Sequence, residues 1–120
     1  MRVTVYPGAL SGRVLAPPSK SHAHRLLIMA ALADGECVIQ GAGASKDIEA
    51  TARCLRALGA GVRAEGCDLR VQPIQAPRRG ALLDCGESGS TLRFLLPLAA
   101  HLDCEATLTG HGRLPGRPNA

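Results

Sequence analysis

Aromatic residues are almost missing from this chain. Tyr6 and Phe94 are the only two, and there is no tryptophan. Any core must therefore be aliphatic. The scarcity also argues against single-stranded nucleic-acid binding, which stacks bases on aromatic side chains. Dense basic runs are missing too. Arg78-Arg79 is the only basic doublet, and the net charge of +4 does not demand a polyanion. Paired cysteines are absent as well. Cys37, Cys54, Cys67, Cys85 and Cys104 are odd in number, widely spaced and without a Cys-x-x-Cys pair. That pattern excludes a zinc ribbon and a complete disulfide framework, and it points to free thiols in a reducing compartment. The first 25 residues have no signal-peptide core, and no apolar run is long enough to span a membrane. A cytoplasmic location is expected, with no membrane and no nucleic-acid partner.

What is present suits one modest domain. Hydrophobic residues make up 46% of 120 positions, enough for a real core. The cations are mostly arginine, which suits bidentate recognition of phosphate and carboxylate. Pro17-Pro18-Ser19-Lys20-Ser21-His22-Ala23-His24-Arg25 leads into the apolar run Leu26 to Ala33 and reads as a helix start. Cations are disfavoured in a first helical turn by about 0.3–1 kcal/mol each. Lys20 and Arg25 stand in or beside that turn with no nearby carboxylate to offset them. The pattern fits either a solvated helix start with two surface cations or a site completed by an external anion, held by backbone N–H groups, serine hydroxyls and two cations. His22 and His24 make no metal pair, because residues two apart on a helix do not share a face. No metal or cofactor is expected.

The arrangement recurs. Cys85-Gly86-Glu87-Ser88-Gly89-Ser90-Thr91-Leu92-Arg93 precedes a second apolar run, Phe94 to Leu102, although Glu87 could satisfy that helix start by itself. A third basic element follows, Gly112-Arg113-Leu114-Pro115-Gly116-Arg117-Pro118. Three such elements imply a substrate with more than one anionic group.

Periodicity and turn residues set the expected elements. Arg2–Tyr6 and Gly12–Ala16 read as short strands. A helix over 21–34 should end at Gly35. Cys37–Gln40 is a strand. Ser45 caps a helix that runs to Gly59, with Asp47 and Glu49 in its first turn and Ile48, Ala52, Leu55 and Leu58 on one buried face. Gly61–Ala64 and Leu69–Pro73 are strands around a turn at Glu65-Gly66. Ala81–Cys85 is a strand, a helix follows from about Ser88 to Leu102, and Glu105–Thr109 is a strand. Pro97 should kink or shorten that last helix. Strands alternate with helices, so the class is α/β or α+β, and the strand–helix–strand at the end hints at an internal repeat. A chain ending at Asn119-Ala120, directly after the third basic element, reads as the N-terminal piece of a longer protein.

Three motifs, in order and in register, resemble the 3-phosphoshikimate 1-carboxyvinyltransferase (5-enolpyruvylshikimate-3-phosphate synthase) family. Pro18-Ser19-Lys20-Ser21-x-x-x-Arg25 is similar to its Pro-Gly-Ser-Lys-Ser-x-x-x-Arg signature. Gly86-Glu87-Ser88-Gly89-Ser90-Thr91-Leu92-Arg93 is similar to Gly-Asn-x-Gly-Thr-x-x-Arg. Arg113-Leu114-Pro115-Gly116-Arg117-Pro118 is similar to Arg-x-x-x-Arg-Pro. Pro18 stands where the family has Gly, His24 where it has Asn, Glu87 where it often has Asn, and Ser90 where it has Thr. A Walker-type phosphate loop is excluded, since Lys20-Ser21 lacks the preceding Gly-x-x-x-x-Gly.

The resemblance implies transfer of the enolpyruvyl group of phosphoenolpyruvate to the 5-hydroxyl of shikimate 3-phosphate, releasing phosphate, in the shikimate pathway to chorismate and the aromatic amino acids. Carried over by position, Lys20 contacts phosphoenolpyruvate and, with Asp47, lies near the proton transfers. Ser21 and Arg25 hold the shikimate carboxylate. Gly89 lies against phosphoenolpyruvate, and Arg117 clamps its phosphate. Ser90, Arg93 and Arg113 support the site. Glyphosate would compete at the phosphoenolpyruvate site. The implied fold is an inside-out α/β barrel of repeated βαβαββ units, of which residues 14–120 supply the first and part of the second. Residues 1–13 would pack with a second domain, whose carboxylates and cations this chain lacks, so the 120 residues alone should be catalytically silent. The rival readings are an enolpyruvyl transferase acting on a UDP-sugar and a non-catalytic anion- or RNA-binding βαβ module.

Overall fold

Each of the three helices starts at a serine. Ser19, Ser45 and Ser88 have extended backbone, and each hydroxyl accepts the N–H three residues on, from His22, Ile48 and Thr91 respectively. This bond satisfies one of the orphan donors at a helix start. The computed structural model describes residues 1–118. Its elements are α1 (Lys20–Ala31), β1 (Cys37–Ile39), α2 (Lys46–Leu58), β2 (Gly61–Glu65), β3 (Asp68–Gln72), β4 (Ala81–Asp84), α3 (Gly89–His101) and β5 (Ala106–Thr109). The expected domain span of 14–120 ends at Asn119-Ala120, outside the described residues.

β1 and β2 both run antiparallel to β3, in the order β1-β3-β2. They are therefore parallel to each other, with α2 crossing between them. Gly66, at φ +63°, opens the two-residue loop of the β2–β3 hairpin, a position that favours glycine. β4 and β5 pair in parallel with α3 as the crossover, a second strand–helix–strand unit. The mixed helix–strand class and the second unit follow the sequence reading.

α2 lies at the centre. Ile48, Ala52, Leu55 and Leu58 are buried as its periodicity implies, but so are Ala50, Thr51 and Cys54. The buried arc is wider because α2 packs against α1, α3, β2 and β4 together. The helix ends as expected at Gly59, in the left-handed region at φ +114°. The core is aliphatic, with Leu27, Leu55, Leu58, Val71, Leu83 and Leu95 sealed from solvent. All five thiols are free.

Four expectations are corrected. Arg2–Tyr6 and Gly12–Ala16 form no strands; residues 1–19 carry no regular structure and are exposed throughout. An extended segment becomes a strand only by pairing with a neighbour, and neither sheet takes one up here. The first helix stops at Ala31 rather than near Gly35. Leu32 shares its N–H between the Ile28 and Met29 carbonyls, and the Ala31 carbonyl accepts the Ile74 N–H at 2.9 Å instead of a further helical turn. Pro97 neither ends nor shortens α3, which continues to His101. It sits on the exposed side, while Leu95, Leu98 and Ala99 anchor the buried side. The hairpin loop falls at Gly66-Cys67, one residue beyond the expected position.

Candidate active site

The three serine-capped helix starts are brought to one end of the molecule by contacts between their first turns. Lys20 at the start of α1 donates from Nζ to Asp47 Oδ2 in the first turn of α2, at 3.0 Å. Thr91 in the first turn of α3 donates from Oγ1 towards the Asp47 backbone carbonyl at 3.4 Å. Each helix start carries partial positive charge, so their convergence builds a positive potential before any side chain is counted. Lys20 therefore has a carboxylate partner after all, 27 residues away rather than in its own turn.

Arg25 lies one turn further along α1. Its Nη1 donates to the Ser21 carbonyl at 2.9 Å, and its guanidinium stands 5.1 Å from the centroid of the Phe94 ring on α3. One of the two aromatic residues thus shelves a candidate anion-binding cation. Ser21 is exposed on the same first turn.

Gly89 and Arg117 form a second pair. A Cβ on Gly89 would lie 3.3 Å from Arg117 Nη1 and 3.8 Å from Leu114 Cδ1. The guanidinium therefore rests against the one α3 position that has no side chain. The loop bearing Arg117 is held from several sides. His111 N–H donates to the Gly86 carbonyl at 2.9 Å, Arg93 Nη2 reaches the Pro118 carbonyl at 3.4 Å, and Leu114 is buried. Glu87 accepts the Arg113 N–H at 3.2 Å, and its carboxylate fills the space a side chain on Gly112 would occupy. Arg93 thus anchors the loop by its side chain, and Arg113 by its backbone. Ser90 is exposed on the first turn of α3. Glu87 does not merely answer the helix dipole: it ties the second motif to the third. Pro18 is also accounted for, since its ring packs where a Cβ on Gly43 would project.

A cleft of about 660 Å³ adjoins the site at Asp47 and Ser88 and is lined further by Arg53, Glu87 and His111. Lys20, Ser21, Arg25, Gly89 and Arg117 do not line it. Lys20, Ser21, Arg25 and Arg117 are exposed on a face beside it, and Gly89 is buried under Arg117.

Beneath that face runs a polar chain that sequence reasoning missed. His24 Nδ1 lies 2.7 Å from Thr51 Oγ1, Thr51 Oγ1 lies 2.8 Å from Thr91 Oγ1, and Thr91 Oγ1 lies 2.8 Å from Ser88 Oγ. All four residues are buried. The available signal was a threonine inside each of two otherwise apolar helix faces. Burial lowers the His24 pKa from its ordinary 6.5; Lys20 and Arg25 push the same way, and Asp47 opposes them. As pH falls through 6.5, the unfolded chain takes up this proton more readily than the folded one, so acid destabilises the fold. The melting temperature of the intact protein should therefore fall more steeply between about pH 7 and pH 5 in wild type than in His24→Asn. Parallel slopes would contradict this account.

Residues 5–120 match the family EPSP synthase (3-phosphoshikimate 1-carboxyvinyltransferase). The chain belongs to the EPSP synthase family. It is 43% identical over 122 residues to the 3-phosphoshikimate 1-carboxyvinyltransferase of Clostridium beijerinckii, covering 95% of this chain and 28% of that one. It is 41% identical over 119 residues to that of Clostridium perfringens, covering 98% and 28%. The EPSP synthase from Acinetobacter baumannii superimposes with a TM-score of 0.72 at 25% identity, over 90% of this chain and 26% of that one. The chain thus spans about 28% of the length of the curated EPSP synthase relatives it matches. Among the described residues, no helix is long and apolar enough to cross a membrane.

Proposed function

We propose that this chain is the N-terminal part of an enzyme that moves the enolpyruvyl group of phosphoenolpyruvate to the 5-hydroxyl of shikimate 3-phosphate and releases phosphate. The observation that carries the reading is the placement of Lys20–Asp47 and Gly89–Arg117 at neighbouring serine-capped helix starts. Both substrates carry a phosphate and a carboxylate, which matches several separate cationic positions. In the proposed chemistry the alkene is protonated, the hydroxyl oxygen adds to the resulting cationic carbon, and the hydroxyl proton is lost. The tetrahedral intermediate then eliminates phosphate and a methyl proton.

The chain's own residues divide this work. Arg117 clamps the phosphoenolpyruvate phosphate, and bare Gly89 lets phosphate and guanidinium meet at contact distance. Lys20 binds phosphoenolpyruvate and stays close to the proton transfers, and Asp47 holds its ammonium group. Ser21 and Arg25 take the shikimate carboxylate, with Phe94 keeping the guanidinium in place. Ser90, Arg93 and Arg113 support the loops. Charge clamping and orientation of this kind supply most of what the transfer asks of the protein.

The inside-out barrel, the packing of residues 1–13 on a second domain and a cytoplasmic setting belong to the same proposal. Exposed Val3, Val5, Tyr6 and Leu10 support the packing, since they form an apolar stretch left uncovered among the described residues. Incubating the intact enzyme with both substrates should yield an enolpyruvyl ether at the 5-oxygen, seen as new vinyl protons by NMR. Recovery of both substrates unchanged would refute the reading.

A further inference from the structure

We propose that His24 is a positioning residue: through its Nδ1–H it hydrogen-bonds Thr51 and thereby locks the start of α1, which carries Lys20 and Arg25, to the starts of α2 and α3, which carry Asp47 and Gly89. The direction of the chain follows from its far end. The Thr91 hydroxyl has one proton, and its partners there are the Ser88 oxygen at 2.8 Å and the Asp47 carbonyl at 3.4 Å, the latter able only to accept. Ser88 Oγ already accepts the Thr91 N–H as the helix cap. With its proton committed there, Thr91 accepts from Thr51. Thr51 in turn has spent its proton, so it accepts from His24. The imidazole is thereby held as the Nδ1–H form, and its neutral Nε2 carries the lone pair.

Three features make this more than a satisfied core histidine. The chain spans three helices with no backbone link shorter than 27 residues between His24 and Thr51 or 40 between Thr51 and Thr91. Its members sit within two turns of every helix start that bears a site residue. The ring is also tilted at 60° to Phe94, 6.1 Å between centroids, and Phe94 in turn shelves Arg25. A change at His24 therefore reaches the phosphoenolpyruvate and shikimate carboxylate positions together. The groups facing His24 are Lys20 and Arg25 from α1 and Asp47 from α2, with uncharged Thr51 and Phe94 completing the surround.

The inference rests on the enolpyruvyl-transfer reading for its kinetic arm only. An asparagine places its amide nitrogen where Nδ1 stands and can donate to Thr51; a glutamine, closer to histidine in volume, places its nitrogen where Nε2 stands. In the intact enzyme, His24→Asn should keep kcat/KM within a few-fold of wild type. His24→Gln, His24→Leu and Thr51→Val should each lose on the order of tenfold to a hundredfold, the scale of a misplaced catalytic constellation. Equal losses in the Asn and Gln variants would overturn the proposal, as would near-normal activity of Thr51→Val. The second arm needs no activity. Long-range ¹⁵N–¹H spectra of the wild-type imidazole should find the neutral ring protonated at Nδ1. A proton on Nε2 reverses the chain and overturns the proposal even if every variant fails to fold, and an inactive wild type with an Nδ1–H ring refutes the reaction reading alone.

Discussion

Lys20→Met and Arg117→Ala should each remove most of the transfer activity of the intact enzyme while leaving it folded. Both side chains are exposed, so neither change opens a core cavity, and surface substitutions of this kind move stability by about 0.5 kcal/mol or less. Each, however, removes charge-assisted hydrogen bonds to an anionic substrate. Such a bond contributes ~1.5–3 kcal/mol, or roughly ten- to a hundredfold in kcat/KM. The two should differ in form. Arg117→Ala strikes the phosphate clamp and should appear largely in the phosphoenolpyruvate KM. Lys20→Met also strips Asp47 of its partner at 3.0 Å, and it should lower kcat as well. Steady-state kinetics with each substrate varied in turn, alongside thermal melts, checks both points. Near-normal kinetics in either variant would refute its assignment.

Gly89→Ala should weaken glyphosate inhibition more than it weakens phosphoenolpyruvate binding. The added methyl would stand 3.3 Å from Arg117 Nη1, tighter than ordinary contact, with Leu114 behind it at 3.8 Å. Leu114 is buried and has little room to yield, so the guanidinium must shift by a few tenths of an ångström. Overpacking of this kind costs about 1–3 kcal/mol. Phosphoenolpyruvate loses part of its clamp. Glyphosate is longer, fills the same place and should lose more. The ratio of the glyphosate inhibition constant to the phosphoenolpyruvate KM should therefore rise in the variant. An unchanged ratio would place Gly89 away from the substrate.

Local features of this fold were readable in the chain, and contacts between distant elements were not. Ser45 with Asp47 and Glu49 behind it announces a helix start, and Gly59 announces its end, because capping chemistry acts within one turn. Gly66 between two alternating runs announces a hairpin for the same reason. The Lys20–Asp47 pair and the His24–Thr51–Thr91 chain join residues 27 and 40 positions apart, and no local pattern encodes such a meeting. Arg2–Tyr6 and Gly12–Ala16 fail in the opposite way. Their β-favouring residues are real, yet a strand exists only with a partner, and the described residues provide none. Pro97 shows that propensity yields to packing where one face of a helix is well anchored.

The three motifs were legible in the chain, but the contacts that join them were not. Arg93 and Arg113 looked like supports of the site. The structure commits the Arg93 guanidinium to Pro118 and the Arg113 backbone to Glu87. Glu87 looked like a departure from the second motif and proves to bind the third.

Acceptor selectivity tests the central claim most directly. The intact enzyme is given phosphoenolpyruvate with either shikimate 3-phosphate or a UDP-sugar, and released phosphate is followed by a coupled assay. Release with shikimate 3-phosphate alone is the predicted result. Release with the UDP-sugar but not with shikimate 3-phosphate would contradict it.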